Sequence, residues 1–304
     1  MVLHDPHFKE LIAHGKGCEQ WDSHRKITWC GNCGNYGIQA AIKRALTLEG
    51  LGVRDVVFCF DVGCSGNGSD KIEGYTIHGL HGRVLSLAAG VKLANPNLKV
   101  FAEAGDGATF SEGVNHLVHA VRNDYPVIFL HHNNENYGLT TGQPSALSPK
   151  GAKLNAAPEG GVAVEPLNPL DFVLSLKPTF VARGFSGEVN HLTDLIREAL
   201  KHPGFAFIDV LQACPTYNRE TPDDWYSTRV RDVAELAGYD CMDIWQARRI
   251  VQNEDEKFYL GVLYKNPRSA DFFAAQQAHR AGRNTTSIEE VKGYDVSDLL
   301  KGLV

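Results

Sequence analysis

The sequence has 304 residues, of which 43% are hydrophobic and 22% are charged, and its formal net charge is −6. This composition is typical of a globular protein with an ample core, and the acidic balance argues against nucleic acid as a ligand. No apolar run reaches the roughly 18 residues of a membrane helix, and Met1–Gln20 lacks the apolar core of a signal peptide. We therefore expect a cytoplasmic protein that does not enter a membrane.

Apolar runs rich in β-branched residues alternate with helical patterns along most of the chain. The predicted strands are 55–61, 98–104, 126–131, 180–185, 205–211 and 258–264. The predicted helices are 36–48, 83–94, 111–122 with Ser111 as its cap, 189–202, 270–280 and 296–304. This alternation is typical of an α/β fold, a parallel sheet with helices on both faces. Ligands of such sheets bind beyond the carboxyl ends of the strands.

Two stretches depart from the alternation. Residues 136–170 hold many glycines and prolines and are predicted to form a long ordered loop, a kind of loop that is often functional. Residues 225–254 are predicted to be largely irregular and then helical. Because no clear boundary interrupts the chain, we expect a single domain, 1–304, with its core at about 29–214, an N-terminal arm and a C-terminal extension.

Two polar motifs follow consecutive predicted strands. Gly105-Asp106-Gly107 ends one strand, and Asn133-Asn134 ends the next after 25 intervening residues, the length of one βαβ crossover. Both motifs should therefore meet at one edge of the sheet. Asp106 and Asn134 offer the hard oxygen ligands that suit Mg²⁺, and the glycines allow the main chain to approach a phosphate at a helix N-terminus. These features predict a Mg²⁺ ion that bridges the protein and a diphosphate. The alternative is that Gly105-Asp106-Gly107 is simply a turn and Asn133-Asn134 a loop, with no ligand.

Seven cysteines are present, an odd number in a chain too long for a small disulfide scaffold. Cys30 and Cys33 form a CxxC motif before a helix, which alone would also suit a thioredoxin-like pair. Cys64 and Cys214 each follow a predicted strand, so all four thiols can converge near one sheet edge. Four thiolates suit either a [4Fe–4S] cluster or a zinc ion. Cys59 lies within a strand and is interpreted as a small buried hydrophobic residue.

The motifs occur in the order found in a known family. In chain order they are Trp29-Cys-Gly-Asn-Cys-Gly-Asn35, Gly63-Cys-Ser65, His78-Gly-Leu-His-Gly-Arg83, Val91-Lys-Leu-Ala-Asn-Pro96, Gly105-Asp-Gly107 and Tyr137-Gly-Leu-Thr-Thr-Gly-Gln143. Over roughly 29–214, the sequence resembles the beta subunit of 2-oxoacid:ferredoxin oxidoreductases. The resemblance implies the thiamine diphosphate-binding fold, in the form of its diphosphate-type domain.

The resemblance also implies ligand roles. The Mg²⁺ ligands would be Asp106, Asn134 and the backbone carbonyl of Asn136. The ligands of one [4Fe–4S] cluster would be Cys30, Cys33, Cys64 and Cys214, which favours iron–sulfur over zinc. The positions along thiamine diphosphate would be Gly63, Cys64, Ser65, His81, Gly105, Gly107, Ala108, Gly138 and Leu139. The remaining histidines near these motifs are expected to be structural or surface groups: His78, His116, His119, His131 and His132.

Two positions depart from the family pattern. Many relatives carry Lys where this sequence has Thr141, and many have a basic residue where it has Asn67. These positions lie near the substrate carboxylate in relatives, so the substrate pocket does not transfer. Lys71, or a basic residue of a partner, is the candidate for binding the acid, and His81 is the other candidate catalytic residue. The alternatives are a solvated loop lysine and a histidine that starts a helix and bonds to the backbone.

The activity that the resemblance implies is coenzyme A-dependent oxidative decarboxylation of a 2-oxoacid, with electrons passed to ferredoxin. We expect 2-oxoglutarate as the substrate and pyruvate as the next choice. Thiamine activation in the family uses a Glu from a pyrimidine-binding domain, and only a diphosphate-type domain is found here. An alpha subunit should therefore complete the site in an αβ or (αβ)₂ assembly.

Three other interpretations remain open on the residues alone. One is a non-oxidative thiamine diphosphate decarboxylase or synthase half-subunit with a structural Cys₄ zinc. Another is a zinc-bearing scaffold subunit that has no activity. A dinucleotide-binding protein is disfavoured, because no GxGxxG follows the first strand with an acidic residue about 20 positions later.

Overall fold

The computed structural model describes residues 18–252, 257–266, 268–269, 272–277, 295 and 297–301. Its strands are β1 Val56–Phe60, β2 Tyr75–His78, β3 Lys99–Gly105, β4 Ile128–Asn133, β5 Asn136–Tyr137, β6 Gln143–Pro144, β7 Phe180–Phe185, β8 Ala206–Leu211, β9 Val230–Asp232 and β10 Phe258–Lys265. Its α-helices are α1 Asn35–Leu48, α2 Val84–Ala94, α3 Val114–Asn123, α4 Pro169–Ser175, α5 Val189–Lys201, α6 Asp223–Ser227, α7 Ile244–Gln252, α8 Phe272–Gln277 and α9 Ser297–Lys301. Short 3₁₀ helices lie at Cys18–Trp21, Gly66–Asp70 and Val233–Glu235, and Gly107–Glu112 is a π-helical segment.

Eight of these strands form one sheet in the order β2-β1-β3-β4-β8-β7-β10-β9. Neighbouring strands are parallel, except that β10 runs antiparallel to β7. Every residue of β1, β4, β7 and β8 is buried, as expected for strands that are covered on both faces. The predicted α/β fold is therefore confirmed, with one antiparallel strand added.

Hydrophobic clusters lie on both faces of this sheet. Successive side chains of a strand point to opposite faces, and β1 divides accordingly: Cys59 joins one cluster and Phe58 the other. The first cluster takes its helical residues from α2, α3, α4 and α7, and the second takes them from α1 and α5. Cys59 is fully buried, and burial raises the pKa of its thiol to about 12, so its interpretation as a small core residue is confirmed.

The predicted helix that begins at Ser111 with a side-chain cap is wrong. The π-helical segment Gly107–Glu112 includes Ser111, and α3 begins at Val114 with Gly113 as its N-cap. A Cβ on Gly113 would lie 2.5 Å from the carbonyl oxygen of Ala108 and 2.7 Å from that of Gly82. This close approach of two backbones breaks the helix at a glycine, a contact that periodicity does not reveal.

The remaining differences lie in short elements. β2, β9, α4 and α6 were not predicted, and the long loop 136–170 contains the β5–β6 hairpin. The predicted helices 270–280 and 296–304 are represented by α8 and α9, and their other residues lie outside the described residues. Within the described part of the chain, no helix is long and apolar enough to cross a membrane.

Truncating the aromatic core of the second cluster should destabilise the protein strongly. Phe58 is fully buried, and its ring centroid lies 5.5 Å from that of Phe101 and 6.4 Å from that of Trp21. We expect Phe58→Ala to lower the free energy of unfolding by about 3–5 kcal/mol, because a cavity replaces a packed ring. Denaturant titration of the purified protein measures the loss. Leu48→Ala, at a side chain that is 54% exposed, is the control and should cost less than about 0.5 kcal/mol; equal losses would contradict the assignment of this core.

Candidate functional site

A cleft of about 520 Å³, counted with its solvent-open mouth, lies at the carboxyl ends of β1, β3 and β4. This is where ligands bind in parallel sheets. The lining residues include every position predicted to lie along the cofactor: Gly63, Cys64, Ser65, His81, Gly105, Gly107, Ala108, Gly138 and Leu139. Asn134 and Asn136 also line it. The fold thus brings together residues from four separate loops.

Asp106 lies directly after β3 and is completely buried. No described residue makes a full hydrogen bond to either of its carboxylate oxygens. Burial, with the nearby carboxylate of Glu135, raises the pKa of this carboxyl to about 7, although the Ser145 side chain and the backbone N–H of Asn134 lie close enough to oppose that rise. A buried carboxylate that full hydrogen bonds do not compensate is costly unless a cation binds it. The two oxygens are therefore available to a cation, and Asp106 fits a Mg²⁺ site.

Asn134 and Asn136 form the turn after β4, and both are buried. The Asn134 side chain donates from Nδ2 to Oε1 of Gln212 at 3.0 Å, which turns its amide oxygen away from Gln212. That oxygen accepts a long bond of 3.3 Å from the backbone N–H of Asn136. Glu135 lies between them in the left-handed region, with φ 60°. The turn therefore presents an oriented amide oxygen, and Gln212 is a positioning residue that the sequence analysis missed.

Gly107 makes room for an aromatic wall of the cleft. A Cβ on Gly107 would lie 2.2 Å from the ring of Tyr137, so a side chain is excluded at this position. The Tyr137 hydroxyl donates to Oε1 of Glu112 at 2.8 Å, and burial raises its pKa to about 12. The cleft can thus expose main chain at Gly107 while Tyr137 closes one side of it.

The four cysteines singled out by the sequence gather beside the cleft. A Cβ on Gly138 would lie 3.2 Å from the Cys64 sulfur and 3.9 Å from the Cys214 sulfur. Burial, together with the nearby thiols of Cys64, Cys214 and Cys30, raises the pKa of Cys33 to about 12. Among the described residues, no group of three or more His, Cys, Asp or Glu side chains is arranged to hold a metal ion. The four thiols are neighbours without forming a ligand set in this structure, and Cys30 is the exposed member of the group.

Asp61 is a second buried carboxylate at the cleft, and the sequence analysis did not select it. Its oxygens accept backbone N–H groups from Val62 at 2.8 Å, Gly82 at 2.9 Å and Val84 at 3.1 Å. It also lies 3.1 Å from Nδ1 of His81. Asp61 therefore fixes the start of α2 and the ring of His81 together. The signal was available, because Asp61 follows a strand just as Asp106 does.

His132 lines the cleft and belongs to a buried polar network. Its Nδ1 lies 2.9 Å from Oδ1 of Asn35, and its Nε2 lies 3.1 Å from Oε2 of Glu103, a carboxylate inside β3. Gln212 donates to the same Asn35 oxygen at 2.6 Å. The network therefore connects α1, β3 and β4 to the residue that orients Asn134. Sequence reasoning expected His132 to be structural or at the surface, and its position in the cleft wall was missed.

The residues proposed for the substrate carboxylate do not converge. The side chain of Lys71 is buried and its ammonium pairs with the Asp70 carboxylate, and Lys71 is not among the residues that line the cleft. Asn67 lies in the 3₁₀ helix that follows Cys64. Thr141 lies beyond Thr140, which does line the cleft. The role of Lys71 in binding an acid therefore stays a prediction.

Comparisons with known proteins agree with this arrangement. Residues 61–210 match the family described as thiamine pyrophosphate enzyme, C-terminal TPP binding domain, and residues 214–279 match the C-terminal family of the pyruvate ferredoxin oxidoreductase beta subunit. The chain is 35% identical over 289 residues to the 2-oxoacid:ferredoxin oxidoreductase subunit beta of Saccharolobus solfataricus, covering 86% of this chain and 94% of that protein. It is 38% identical over 200 residues to the 2-oxoglutarate oxidoreductase subunit KorB of Mycobacterium tuberculosis, covering 66% of this chain and 53% of that protein.

A solved structure shares the fold. It is a 2-oxoglutarate:ferredoxin oxidoreductase from Magnetococcus marinus with 2-oxoglutarate, coenzyme A and succinyl-CoA bound. The TM-score is 0.83 at 29% identity, over 93% of this chain and 94% of that chain. The sheet, the cleft and the family matches define a thiamine diphosphate-binding α/β protein. The chain belongs to the 2-oxoacid:ferredoxin oxidoreductase beta subunits, and the resemblance found in the sequence is confirmed.

Replacing Asp61 should destabilise the protein, because both of its carboxylate oxygens accept buried N–H groups. In Asp61→Asn, an NH₂ group replaces one of the two oxygens that receive buried N–H groups. We expect the free energy of unfolding to fall by about 1–3 kcal/mol. Asp55→Asn is the matched control, since the exposed Asp55 carboxylate accepts one N–H, from Gly52 at 2.8 Å. Denaturant titration compares the two variants, and an Asp61 loss no larger than the Asp55 loss would contradict the assigned role.

Proposed function

We propose that this chain binds Mg²⁺, thiamine diphosphate and one [4Fe–4S] cluster, and that it carries out coenzyme A-dependent oxidative decarboxylation of a 2-oxoacid together with a partner. The observation that carries the proposal is the fully buried Asp106 carboxylate, which has no full hydrogen bond and lies near the backbone N–H of Asn134, a residue that lines the cleft. Carboxylate and amide oxygens are the ligands that Mg²⁺ prefers. Asp106, Asn134 and the carbonyl of Asn136 are the proposed metal ligands.

The diphosphate would lie along Gly105, Gly107, Ala108, Gly138 and Leu139. A Cβ on Gly105 would meet no atom closer than 4.0 Å, so this glycine leaves open space above the main chain. At Gly107, the absence of a side chain lets the ring of Tyr137 pack directly against the main chain. Backbone N–H groups beside a helix N-terminus favour an anion. The donor set therefore fits a phosphate group held next to a metal ion.

The cysteines support a cluster beside the cofactor. Cys64 both lines the cleft and lies among the four thiols, so one residue links the two parts of the site. When bound, thiamine diphosphate supplies the nucleophilic and electron-sink chemistry, and an iron–sulfur cluster supplies one-electron transfer. Cys30, Cys33, Cys64 and Cys214 are the proposed ligands of that cluster.

His81 is the proposed catalytic residue of this chain. Asp61 receives three backbone N–H groups and also contacts Nδ1 of His81, so an Nδ1–H bond to the carboxylate is the favoured tautomer. That tautomer leaves Nε2 as the atom that can accept or hold a proton in the cleft. The His81 ring also packs edge-on against Tyr137, with centroids 6.2 Å apart. The ring is thereby fixed from two sides, as proton transfer at a defined position requires.

The proposed substrate is 2-oxoglutarate, with pyruvate as the next choice. The M. tuberculosis relative is named for 2-oxoglutarate, and the M. marinus structure holds 2-oxoglutarate, coenzyme A and succinyl-CoA. We propose Lys71 or a basic residue of the partner as the group that binds the substrate acid. Turnover assays with both 2-oxoacids distinguish the two substrates.

The proposed partners are an alpha subunit and ferredoxin. The relatives that define the family are named as beta subunits, which supports an alpha subunit that carries the pyrimidine-binding domain. We propose an αβ or (αβ)₂ assembly, with ferredoxin as the electron acceptor. The chain itself is proposed to be a single domain, because β9 and β10 from the C-terminal extension continue the same sheet as the core strands.

Neutralising Asp106 should raise the thermal midpoint of unfolding when no ligand is present and should abolish the stabilisation by Mg²⁺ and thiamine diphosphate. In EDTA, Asp106→Asn should raise the thermal midpoint, because a neutral amide replaces a buried carboxylate that no full hydrogen bond compensates. With Mg²⁺ and thiamine diphosphate, the ligand-dependent gain in midpoint should be lost, corresponding to a fall in affinity of about 100-fold or more. Thermal unfolding in both conditions tests the pair of effects, with Asp55→Asn as the control. Ligand stabilisation of wild-type size in Asp106→Asn would contradict the metal site.

Removing one proposed cluster ligand should lower the iron content of the protein without preventing it from folding. Anaerobically prepared wild-type protein should contain iron and sulfide at about four each per chain, and Cys214→Ala should contain less than about one of each. Cys241→Ala is the control, because this cysteine is not among the four neighbours. Elemental analysis and the spectrum before and after dithionite provide the measurement. About one zinc per chain with no iron would instead support the non-oxidative half-subunit.

A further inference from the structure

The hairpin β5–β6 forms one wall of the cleft. Its connecting residues begin with Gly138, Leu139 and Thr140, and all three line the cleft. β5 and β6 contribute two residues each. Within the turn, the backbone N–H of Thr141 donates to the carbonyl of Gly138 at 3.1 Å, and that of Gly142 donates to the carbonyl of Tyr137 at 2.9 Å. The segment 152–162 adds contacts from outside the hairpin.

Thr141, at the turn of this hairpin, has an unfavourable backbone conformation. Its φ is 81°, in the left-handed region, where a β-branched residue is strongly disfavoured. Gly142 follows with φ 90°, which glycine adopts freely. A Cβ on Gly142 would lie 2.6 Å from Cβ of Tyr217, so the turn is packed against the segment that follows Cys214. Strain of this kind persists where neighbouring contacts impose it.

Asn155 provides those contacts. Its side-chain Nδ2 donates to the carbonyl oxygen of Thr141 at 2.9 Å and lies 3.2 Å from the Thr141 hydroxyl. Its backbone N–H donates to the carbonyl oxygen of Gly142 at 2.9 Å. Because a carbonyl oxygen can only accept, the amide nitrogen of Asn155 must face Thr141. Both residues of the turn are therefore held by one asparagine.

The segment that carries Asn155 is closed at its base. The backbone N–H of Gly151 donates to the carbonyl of Val162 at 2.8 Å, and that of Val162 donates to the carbonyl of Ala152 at 3.0 Å. Residues 152–162 thus return on themselves, and Asn155 projects from a closed loop. This accounts for part of the long stretch 136–170 that the motifs alone left without a role.

We propose that Asn155 is a positioning residue that holds Thr141 in its left-handed conformation and thereby fixes the Leu139–Thr140 wall of the cleft. The inference rests on the proposed function, since it concerns the fit of a 2-oxoacid beside the cofactor. Asn155 touches the hairpin and acts through it. Its loss should therefore affect binding of the substrate more than the chemical step.

Two substitutions test the donor role in the assembled enzyme with Mg²⁺ and thiamine diphosphate. Asn155→Ala removes the side chain, and Asn155→Asp keeps its shape but has no N–H to give. Both should raise KM for the 2-oxoacid by about tenfold and lower kcat by less than about threefold. Both should also speed hydrogen exchange in residues 138–143 by about tenfold. Asn97→Ala, at an exposed asparagine in the loop before β3, should change neither quantity.

A double-mutant cycle tests whether Asn155 acts by holding Thr141 in its disfavoured left-handed conformation. Thr141→Gly makes the left-handed conformation inherently accessible, so Asn155→Ala in that background should change KM and exchange by less than about threefold. Equal effects of Asn155→Ala in both backgrounds, or wild-type behaviour of Asn155→Asp, would overturn the proposal. If the wild-type assembly turns over no 2-oxoacid, the proposed function fails, and the exchange measurements still decide whether Asn155 holds the hairpin.

Discussion

The proposed metal site depends on a buried carboxylate that the protein does not fully compensate. Asp106 is shielded from solvent, and no described residue makes a full hydrogen bond to either of its oxygens. Such a group destabilises the folded chain unless a cation compensates it. The surroundings are arranged for that compensation: Asn134 presents an oriented amide, and Gly105 leaves open space at the strand end. The ligand-free protein is therefore less stable than it would be with a neutral side chain at position 106, a common cost of a ligand-binding site.

The parallel sheet explains why so many polar groups meet here. β1, β3, β4 and β8 are consecutive neighbours, and each ends at the same edge. They deliver Asp61, Asp106, Asn134 and Gln212 in that order. Cys64 and Cys214 follow the outer two of these strands and approach each other across Gly138. The cofactor cleft and the thiol group are therefore two consequences of a single topology, and the β5–β6 hairpin lies between them.

Local pattern was sufficient for the long elements of the fold. The strands β1, β3, β4, β7, β8 and β10 have continuous apolar runs, and α2 and α5 have clear apolar stripes, so all were predicted. β2 was missed because its residues are mostly exposed, and β9 because it is only three residues long. The break before α3 was missed because it depends on contact between the backbones at Gly82 and Gly113. Short or exposed elements carry little hydrophobic signal, so neighbours in space decide them.

The sequence by itself determined the α/β class, from the alternation of strands and helices, and the family, from the motifs at strand ends. Through the resemblance to that family it also indicated nine of the positions that line the cleft. The tertiary structure alone decided how those positions are supported. Asp61 orients His81, Gln212 orients Asn134, and Asn155 holds Thr141, each across more than 10 positions of sequence. It also paired Lys71 with Asp70, away from the cleft lining. Hydrogen bonds between residues distant in sequence leave no periodic trace, and only the folded chain brings their partners together.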